Sequence, residues 1–244
     1  MSAFTLKNIA IFAMLIDHTA YAFDGLLFFA SVPVLRAIGR IAFPIFAYFV
    51  GEGFRHTRDV RKYLARLGLF AFVSEIPFTL VFQNATLIAR GGQLDSIVFF
   101  SLASHNVIFT LFLGLSSAYV LRLAKYSPAF YAAIPVLIIL GDVLNTDFGS
   151  IGVVMVFACA AITGRSRSLR LGILLAGGLV LYLPFASTNP AFSAMLIAGY
   201  CFALLLLILY NGKRGPAFKW LFYVFYPGHL LLIFGALLLA RGFV

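Results

Sequence analysis

The sequence predicts an all-α integral membrane protein, a polytopic bundle of about nine transmembrane helices with a cytoplasmic N-terminus. First, 63% of its 244 residues are hydrophobic and only 11% are charged, which leaves too few polar side chains to cover a soluble domain of this length. Second, apolar runs long enough to span a bilayer recur from end to end. Third, Lys and Arg cluster between alternate runs, as the positive-inside rule predicts.

Nine apolar segments are candidate spans, bounded by polar or turn-forming residues. They run roughly over 8–30, 37–54, 64–83, 105–123, 129–144, 149–164, 169–186, 191–210 and 218–240. The fifth and sixth are short and are joined by a tight polar turn over 142–147, so this pair could be tilted or partly re-entrant. Residues 84–104 form the longest connection, in which the apolar stretch 97–103 could lie in the interface. No polar segment is large enough for a second domain, so we predict a single transmembrane domain over 1–244.

The first span is longer than a signal-peptide core and has no small-residue cleavage site, so we expect it to stay attached. Charge then orients the spans. If the N-terminus is cytoplasmic, the inner side receives Lys7, Arg55, Arg58, Arg61, Lys62, Arg66, Arg122, Lys125, Arg165, Arg167, Arg170, Lys213, Arg214 and Lys219. The outer side receives Arg36, Arg40, Arg90 and Arg241. This bias predicts an outer C-terminus. Topology thus explains the formal charge of +10, and we expect no nucleic-acid partner.

Ionisable side chains nevertheless occur inside the predicted spans, where each costs roughly 2.5–3.5 kcal/mol on insertion scales and needs a partner or a wet cavity. Counting residues from the basic helix ends places a middle layer of Asp17, His18, Glu75 and His229 at one depth. A cytoplasmic set comprises Glu52, Arg55, His56, Arg58, Arg61, Lys62 and Arg66. An outer set comprises Arg40, His105, Asn106, Asp142, Asn145 and Asp147.

Each of these groups also has a purely structural interpretation. Asp17 and His18 could form an ion pair. Glu75 could neutralise an arginine, and His229 could bond a carbonyl that the nearby proline frees. The basic run over 55–66 could mark topology and bind anionic lipids. The two cysteines lie inside apolar runs and indicate no disulfide framework.

Taken together, the three sets form a polar line across the membrane. Such a line suits an enzyme that takes an anionic cofactor from the cytoplasm, and it equally suits a proton-coupled transporter. A non-catalytic scaffold for pilus or envelope assembly is a third interpretation. We find no internal repeat of fixed period, which counts against a transporter without excluding it.

Several segments carry a family resemblance, namely 6–18, 39–46, 52–67, 74–78, 105–111 and 226–230. Together they resemble the TraX family of bacterial membrane proteins, whose founding member N-acetylates the conjugative pilin. A histidine in the first span, a Phe-rich second span and a basic loop before the third are also similar to transmembrane acyltransferases. These resemblances imply acetyl-CoA as the donor, the bacterial inner membrane as the location, and a pilin N-terminus or envelope glycan as the acceptor.

Acyl transfer requires an acceptor that loses a proton, a polarised thioester carbonyl and the exclusion of water. We expect His18 to be the base, because histidine titrates near neutral pH. Asp17 is about 100° round the helix from His18, so Glu75 is the better candidate to orient the ring, and His229 is the rival base.

The cytoplasmic set is expected to hold the phosphates of acetyl-CoA. The outer set, with Arg40, His105, Asn106, Asp142 and Asp147, is expected to contact the acceptor. We predict no metal site, and no Gly-rich phosphate loop is present. No Cys or Ser is obviously placed beside a base, so direct transfer is expected.

Overall fold

The computed structural model describes residues 1–24, 32–89, 103–162, 167–216 and 219–240. Within these ranges the chain forms eleven α-helices and a 3-10 helix, Leu183–Ser187. The helices are α1 (Ala3–Ala22), α2 (Val32–Gly39), α3 (Ala42–His56), α4 (Val60–Val73), α5 (Glu75–Ala89), α6 (Val107–Leu123), α7 (Ala129–Val143), α8 (Gly149–Ala161), α9 (Arg167–Tyr182), α10 (Pro190–Ile208) and α11 (Lys219–Ala240). Arg90, Arg165, Arg241, the end of the first predicted span and nearly all of 97–103 lie outside the described residues.

All nine predicted spans contain helix, but not all of that helix is long and apolar enough to cross a membrane. In the described part of the chain, five segments are long and apolar enough to cross, namely Val32–His56, Val60–Asn84, Arg167–Ser187, Pro190–Ile208 and Trp220–Ala240. α6, α7 and α8 have 17, 15 and 13 residues, fewer than the roughly 20 that a bilayer requires. A polytopic helical membrane protein is therefore confirmed, whereas nine crossings remain a prediction beyond these five.

Two spans that the sequence predicts as continuous, 37–54 and 64–83, are interrupted. The first breaks between α2 and α3, where Arg40 lies outside regular helix. The second breaks between α4 and α5 at Ser74. Pro77 follows in the first turn of α5, and it has no N–H to donate to the carbonyl four residues earlier, so a helix through this point loses a hydrogen bond. Both breaks place charged residues at helix ends inside the bundle.

Backbone hydrogen bonds tie each end of the bundle together. At one end the ammonium of Met1 donates to the carbonyl of Leu209 at 2.6 Å. At the other end His105 and Thr146 form an isolated parallel bridge, and the N–H of Asp147 donates to the His105 carbonyl at 2.9 Å. The predicted topology places each of these contacts on one side of the membrane, and the side that faces the cytoplasm remains a prediction.

Packing then determines which helices surround the middle of the bundle. α8 packs against α3, α6, α7 and α9, while α11 packs against α1 and α5. α2 packs against α1 and α10. α1 therefore lies between α2, α3, α5 and α11, and the start of α6 meets the turn between α7 and α8 at one end of the bundle.

Candidate active site

The first buried polar centre is a pair of histidines from the two ends of the sequence. His18 on α1 and His229 on α11 are both largely buried. The Nδ1 atom of His18 lies 2.8 Å from the Nε2 atom of His229, and the rings stack with centroids 5.0 Å apart. Nδ1 of His229 lies 2.8 Å from the carbonyl oxygen of Phe225.

These partners assign the hydrogens of the pair. A carbonyl oxygen only accepts, so Nδ1 of His229 carries a hydrogen and donates it to Phe225. When both rings are neutral, Nε2 of His229 accepts from Nδ1 of His18. Nε2 of His18 then keeps a lone pair, which is what a general base needs.

The pairing differs from the orienters that the sequence suggested for His18. The ring contacts His229, whereas Asp17 and Glu75 each bond other partners. The two histidines proposed as rival bases thus form one unit. Residue counting could not predict this contact, because it gives depth along each helix and says nothing about which helices are neighbours.

The second centre joins α1 to the break after α2. Asp17 pairs with Nη1 of Arg36 at 3.0 Å and with Nη2 of Arg40 at 2.7 Å. The interpretation of Asp17 and His18 as an ion pair is therefore wrong. Gly39 permits the close approach, since a Cβ at that position would overlap the side chain of Asp17. The centre holds two guanidinium groups against one carboxylate.

The third centre surrounds Glu75, the first residue of α5, which is 1% exposed. Its Oε1 lies 2.8 Å from Nδ1 of His105, and its Oε2 accepts from Nδ2 of Asn106 at 2.7 Å. Asn106 also caps α6 by accepting from the N–H of Ile108. The carboxylate thus lies at the N-terminal ends of α5 and α6, where helix dipoles stabilise negative charge.

This third centre changes the grouping that depth suggested. Glu75 was placed in the middle layer, and His105 and Asn106 in the outer set. The structure joins all three. Because a carboxylate only accepts, Nδ1 of His105 donates to Glu75, and Nε2 of the neutral ring keeps a lone pair. This is the carboxylate–imidazole arrangement of hydrolytic triads.

Tyr226 connects the first and third centres. Its ring centroid lies 6.1 Å from that of His18 and 5.6 Å from that of His229. Its hydroxyl lies against the N–H of Val107, which directly follows Asn106. Tyr226 is not among the site residues predicted from the sequence. A usable signal was present, because residues three apart on a helix share a face and Tyr226 precedes His229 by three.

The turn between α7 and α8 brings Asp147 to these centres. The side chain is exposed, yet it lies within electrostatic range of Arg40. The turn is strained, because Asn145 and Phe148 have φ of 45° and 70°, values that cost free energy for residues other than glycine. Phe148 is held by stacking on Phe43 with centroids 3.9 Å apart.

Two other outer residues are engaged in holding this turn. Asp142 accepts from the N–H of Ser150 at 2.7 Å, at the start of α8. Asn145 donates from its side-chain nitrogen to the carbonyl of Ala103 at 2.5 Å. These contacts give both residues a structural task, whereas the carboxylate of Asp147 accepts only from the backbone of the next residue, Phe148, among the described residues.

Most of the cytoplasmic set lies exposed at the end of α3, on the connection to α4 and in the first turn of α4. The exposed members are Arg55, His56, Arg58, Arg61 and Lys62, and Arg66 is half-buried. Nε of Arg61 donates to the hydroxyl of Tyr119 at 2.9 Å. Asp59 caps α4, and the N–H of Lys62 that donates to it lowers the pKa of that carboxyl. The exposed guanidinium groups are sterically free to meet an anion.

Glu52 is the exception in this set. It pairs with Nη1 of Arg170 on α9 at 2.5 Å, and its contacts with Arg55 and His56 are 3.9 Å long. Arg170 is buried and lies over the ring of Tyr48. The sequence counted Arg170 only as a topology marker, and nothing in its local pattern separates it from the other basic residues of that loop.

An apolar groove of about 370 Å³ runs between α1 and α11 and reaches His229 from the outside of the bundle. Leu15, Thr19 and Leu232 line it, and His229 forms part of its wall. In the described ranges no group of three or more His, Cys, Asp or Glu side chains is arranged to hold a metal ion.

Comparison with known proteins adds a family to this geometry. A family model described as "TraX protein" matches residues 2–237. The chain is 33% identical over 244 residues to the "Probable fimbrial assembly protein FimC, serogroup H1" of Dichelobacter nodosus, covering 96% of this chain and 95% of that protein. An uncharacterized protein of Rickettsia prowazekii is 33% identical over 79 residues, which are 32% of this chain and 28% of that one. No solved structure gives a significant match.

Proposed function

This chain belongs to the TraX family, and on that premise we propose that it is a membrane-embedded, acetyl-CoA-dependent acetyltransferase. It takes acetyl-CoA from the cytoplasm and acetylates an amine or hydroxyl near the outer face of the bacterial inner membrane. The acceptor is a pilin N-terminus or an envelope glycan. A pilus-related acceptor is supported by the resemblance to a pilin-acetylating family and by the Dichelobacter relative, which is named as a probable fimbrial assembly protein.

The observation that most supports an enzyme is the buried pair of His18 and His229. Its hydrogen-bond pattern leaves a lone pair on Nε2 of His18, and both rings are buried. A packed histidine with no chemical task would more simply have both nitrogens bonded. His229 positions the ring of His18, and Phe225 positions His229, so the base is held in one orientation.

The arginine centre supplies donors for the thioester. Arg40 donates from Nε to the Arg36 carbonyl at 3.2 Å and from Nη2 to Asp17. A guanidinium has five N–H groups, so further donors remain on Arg36 and Arg40 to stabilise the negative charge that develops on the thioester oxygen. Both guanidinium groups lie within electrostatic range of His18.

Donor binding is assigned to the exposed side chains of the cytoplasmic set. Acetyl-CoA carries several phosphate charges, and arginine offers forked donors to phosphate. Arg55, Arg58 and Arg61 are exposed and lie close together where α3 ends and α4 begins. Glu52 acts indirectly, because it anchors α3 to α9 through Arg170.

The transfer step is direct. His18 accepts a proton from the acceptor as the acceptor attacks the thioester carbonyl carbon. The tetrahedral intermediate collapses, the C–S bond breaks, and the thiolate of coenzyme A takes the proton from His18. The groove at His229 and the buried surroundings limit access of water, which would otherwise hydrolyse the thioester.

Mass spectrometry of envelope proteins and glycans tests this proposal. Cells with the gene, without it, and complemented with His18→Asn are compared for acetyl groups. We expect deletion to remove an acetyl group, the natural gene to restore it, and His18→Asn at equal protein level to fail. An unchanged set of acetyl groups after deletion would overturn the proposal, and restoration by His18→Asn would favour a scaffold.

A further inference from the structure

The transfer step described above leaves one built arrangement unused, the pair of Glu75 and His105. Both side chains are buried, and they meet at 2.8 Å. Asn106 holds the second carboxylate oxygen at 2.7 Å, so Glu75 cannot rotate away from His105 without breaking a further bond. Nε2 of His105 makes no hydrogen bond to the residues that the structure describes.

The charge around this pair is suited to holding a proton. A carboxylate beside an imidazole stabilises the imidazolium that forms when the ring accepts a proton. No Lys or Arg of the described chain forms an ion pair with Glu75, whose only such partner is His105. The charged and titratable groups that the neighbouring elements bring to this region are Asp17, Arg36, Arg40, Asp147 and Tyr226.

The position of the pair is at the outer end of the site, away from the donor-binding arginines. The His105 carbonyl accepts from the N–H of Asp147, and His105 bridges to Thr146 in the strained turn. The turn therefore holds the exposed Asp147 next to the buried His105. Tyr226 contacts both centres, with its ring near that of His18 and its hydroxyl against the N–H of Val107, two residues after His105.

An amine acceptor requires two proton transfers. At neutral pH it enters as an ammonium ion, which has no lone pair and cannot attack a carbonyl. One proton must leave before the attack, and a second must leave the nitrogen after the C–N bond forms. A hydroxyl acceptor loses only one proton in total, so a second base has a task only when the acceptor is an amine.

We infer that His105, positioned by Glu75, removes the first proton of an amine acceptor. This inference rests on the proposed function. Asp147 receives the ammonium, and Nε2 of His105 takes one proton and later releases it to solvent at the outer face. The free amine attacks the thioester, His18 takes the second proton, and the coenzyme A thiolate accepts that proton as it leaves. The balance is one ammonium and one acetyl-CoA converted to one amide, one coenzyme A thiol and one proton.

The experiment uses detergent-permeabilised membranes of the source bacterium with the gene deleted, which retain the natural acceptor. Purified full-length protein and radiolabelled acetyl-CoA are added, and acetylated groups are identified by mass spectrometry from pH 6.5 to 9.5. An α-amino group of pKa about 8 is about one-tenth free at pH 7 and mostly free at pH 9. His105→Asn is therefore expected to be about tenfold slower than the natural protein at pH 7 and within about twofold of it at pH 9.

Glu75→Gln, which keeps the size of the side chain, is expected to show a pH profile of the same shape, and it carries the test if His105→Asn does not fold. The exposed Lys125→Gln, outside the proposed binding residues, is the control and should follow the natural protein. An equal loss at every pH would make the pair a structural clamp and overturn the inference, as would full activity at pH 7 or an acetyl group found on a hydroxyl. Absence of any transfer by the natural protein would instead overturn the proposed function.

Discussion

The two buried histidine centres use the same side chain in opposite electrostatic settings. His18 is bonded to another imidazole, His229, which in turn donates to a backbone carbonyl. His105 is bonded to the carboxylate of Glu75. Two stacked imidazoles cannot both carry a positive charge at low cost, whereas an imidazolium beside a carboxylate is stabilised.

This difference indicates that the two centres have different roles in proton transfer. The pair at His18 is built to stay neutral and to hold a proton only briefly. The pair at His105 is arranged to accept a proton and to pass it on to solvent. Their separation by Tyr226 places them in one site without direct contact. The carboxylate nearest to His18 in the sequence, Asp17, is used to neutralise arginines instead.

The largest expected effect comes from replacing the neutral base. His18→Asn should lower kcat by about 10²–10⁴-fold, the usual contribution of a general base, and should do so at every pH. His229→Asn should cost less, because an amide oxygen can still accept from Nδ1 of His18. Steady-state kinetics with acetyl-CoA check this, with Lys125→Gln as the exposed control. The activity of His105→Asn is expected to recover at high pH. If the activity of His18→Asn also recovered there, the two centres would have the same role.

A smaller effect is expected for the carboxylate that serves the arginines. Asp17→Asn leaves the partly exposed guanidinium groups of Arg36 and Arg40 without their counter-charge. It should lower the free energy of unfolding by about 2–3 kcal/mol, below the range for fully buried pairs. Thermal unfolding in detergent measures the change, and Asp59→Asn on the surface should cost less than Asp17→Asn.

The pH dependence of the remaining activity of Asp17→Asn is informative as well. If Asp17 only holds the arginines, the profile should match that of the natural protein. A shifted profile at unchanged stability would show that Asp17 acts on His18, and the contrast between the two centres would then be wrong.

The smallest effect is expected at the donor end, far from both histidines. Arg58→Gln combined with Arg61→Gln should raise KM for acetyl-CoA by about tenfold and leave kcat unchanged, because the lost contacts are to phosphates that do not change during transfer. The natural protein should lose affinity in salt more steeply than the double variant. Lys125→Gln, another exposed cation expected on the same side, is the matched control. A fall in kcat without a rise in KM would contradict this assignment.

Much of the fold could be predicted from local properties of the chain. Apolar runs located a helix in every predicted span, and the short pair at 129–164 was expected to be short. The interruptions were missed, although Pro77 is a local signal for one of them. The Arg40 break has no comparable signal, because arginine is tolerated in the interior of an ordinary helix.

The candidate site was predicted less completely. The sequence identified His18, Glu75, His105 and His229 as groups that need partners. It predicted that Glu75 orients His18, whereas Glu75 bonds His105. It missed Tyr226 and the burial of Arg170, because aromatic and basic residues are common in membrane helices and loops and their local pattern does not mark them.

The sequence by itself determined that the chain is a helical membrane protein and which side chains are too costly to leave unpaired in lipid. Both follow from free energies that depend on each segment alone, the transfer of apolar length and of charge into hydrocarbon. Only the tertiary structure decided the partners, because these depend on which helices touch and at what rotation. Gly39 admits Asp17 to the arginines, and the cap of α6 carries His105 and Asn106 to Glu75.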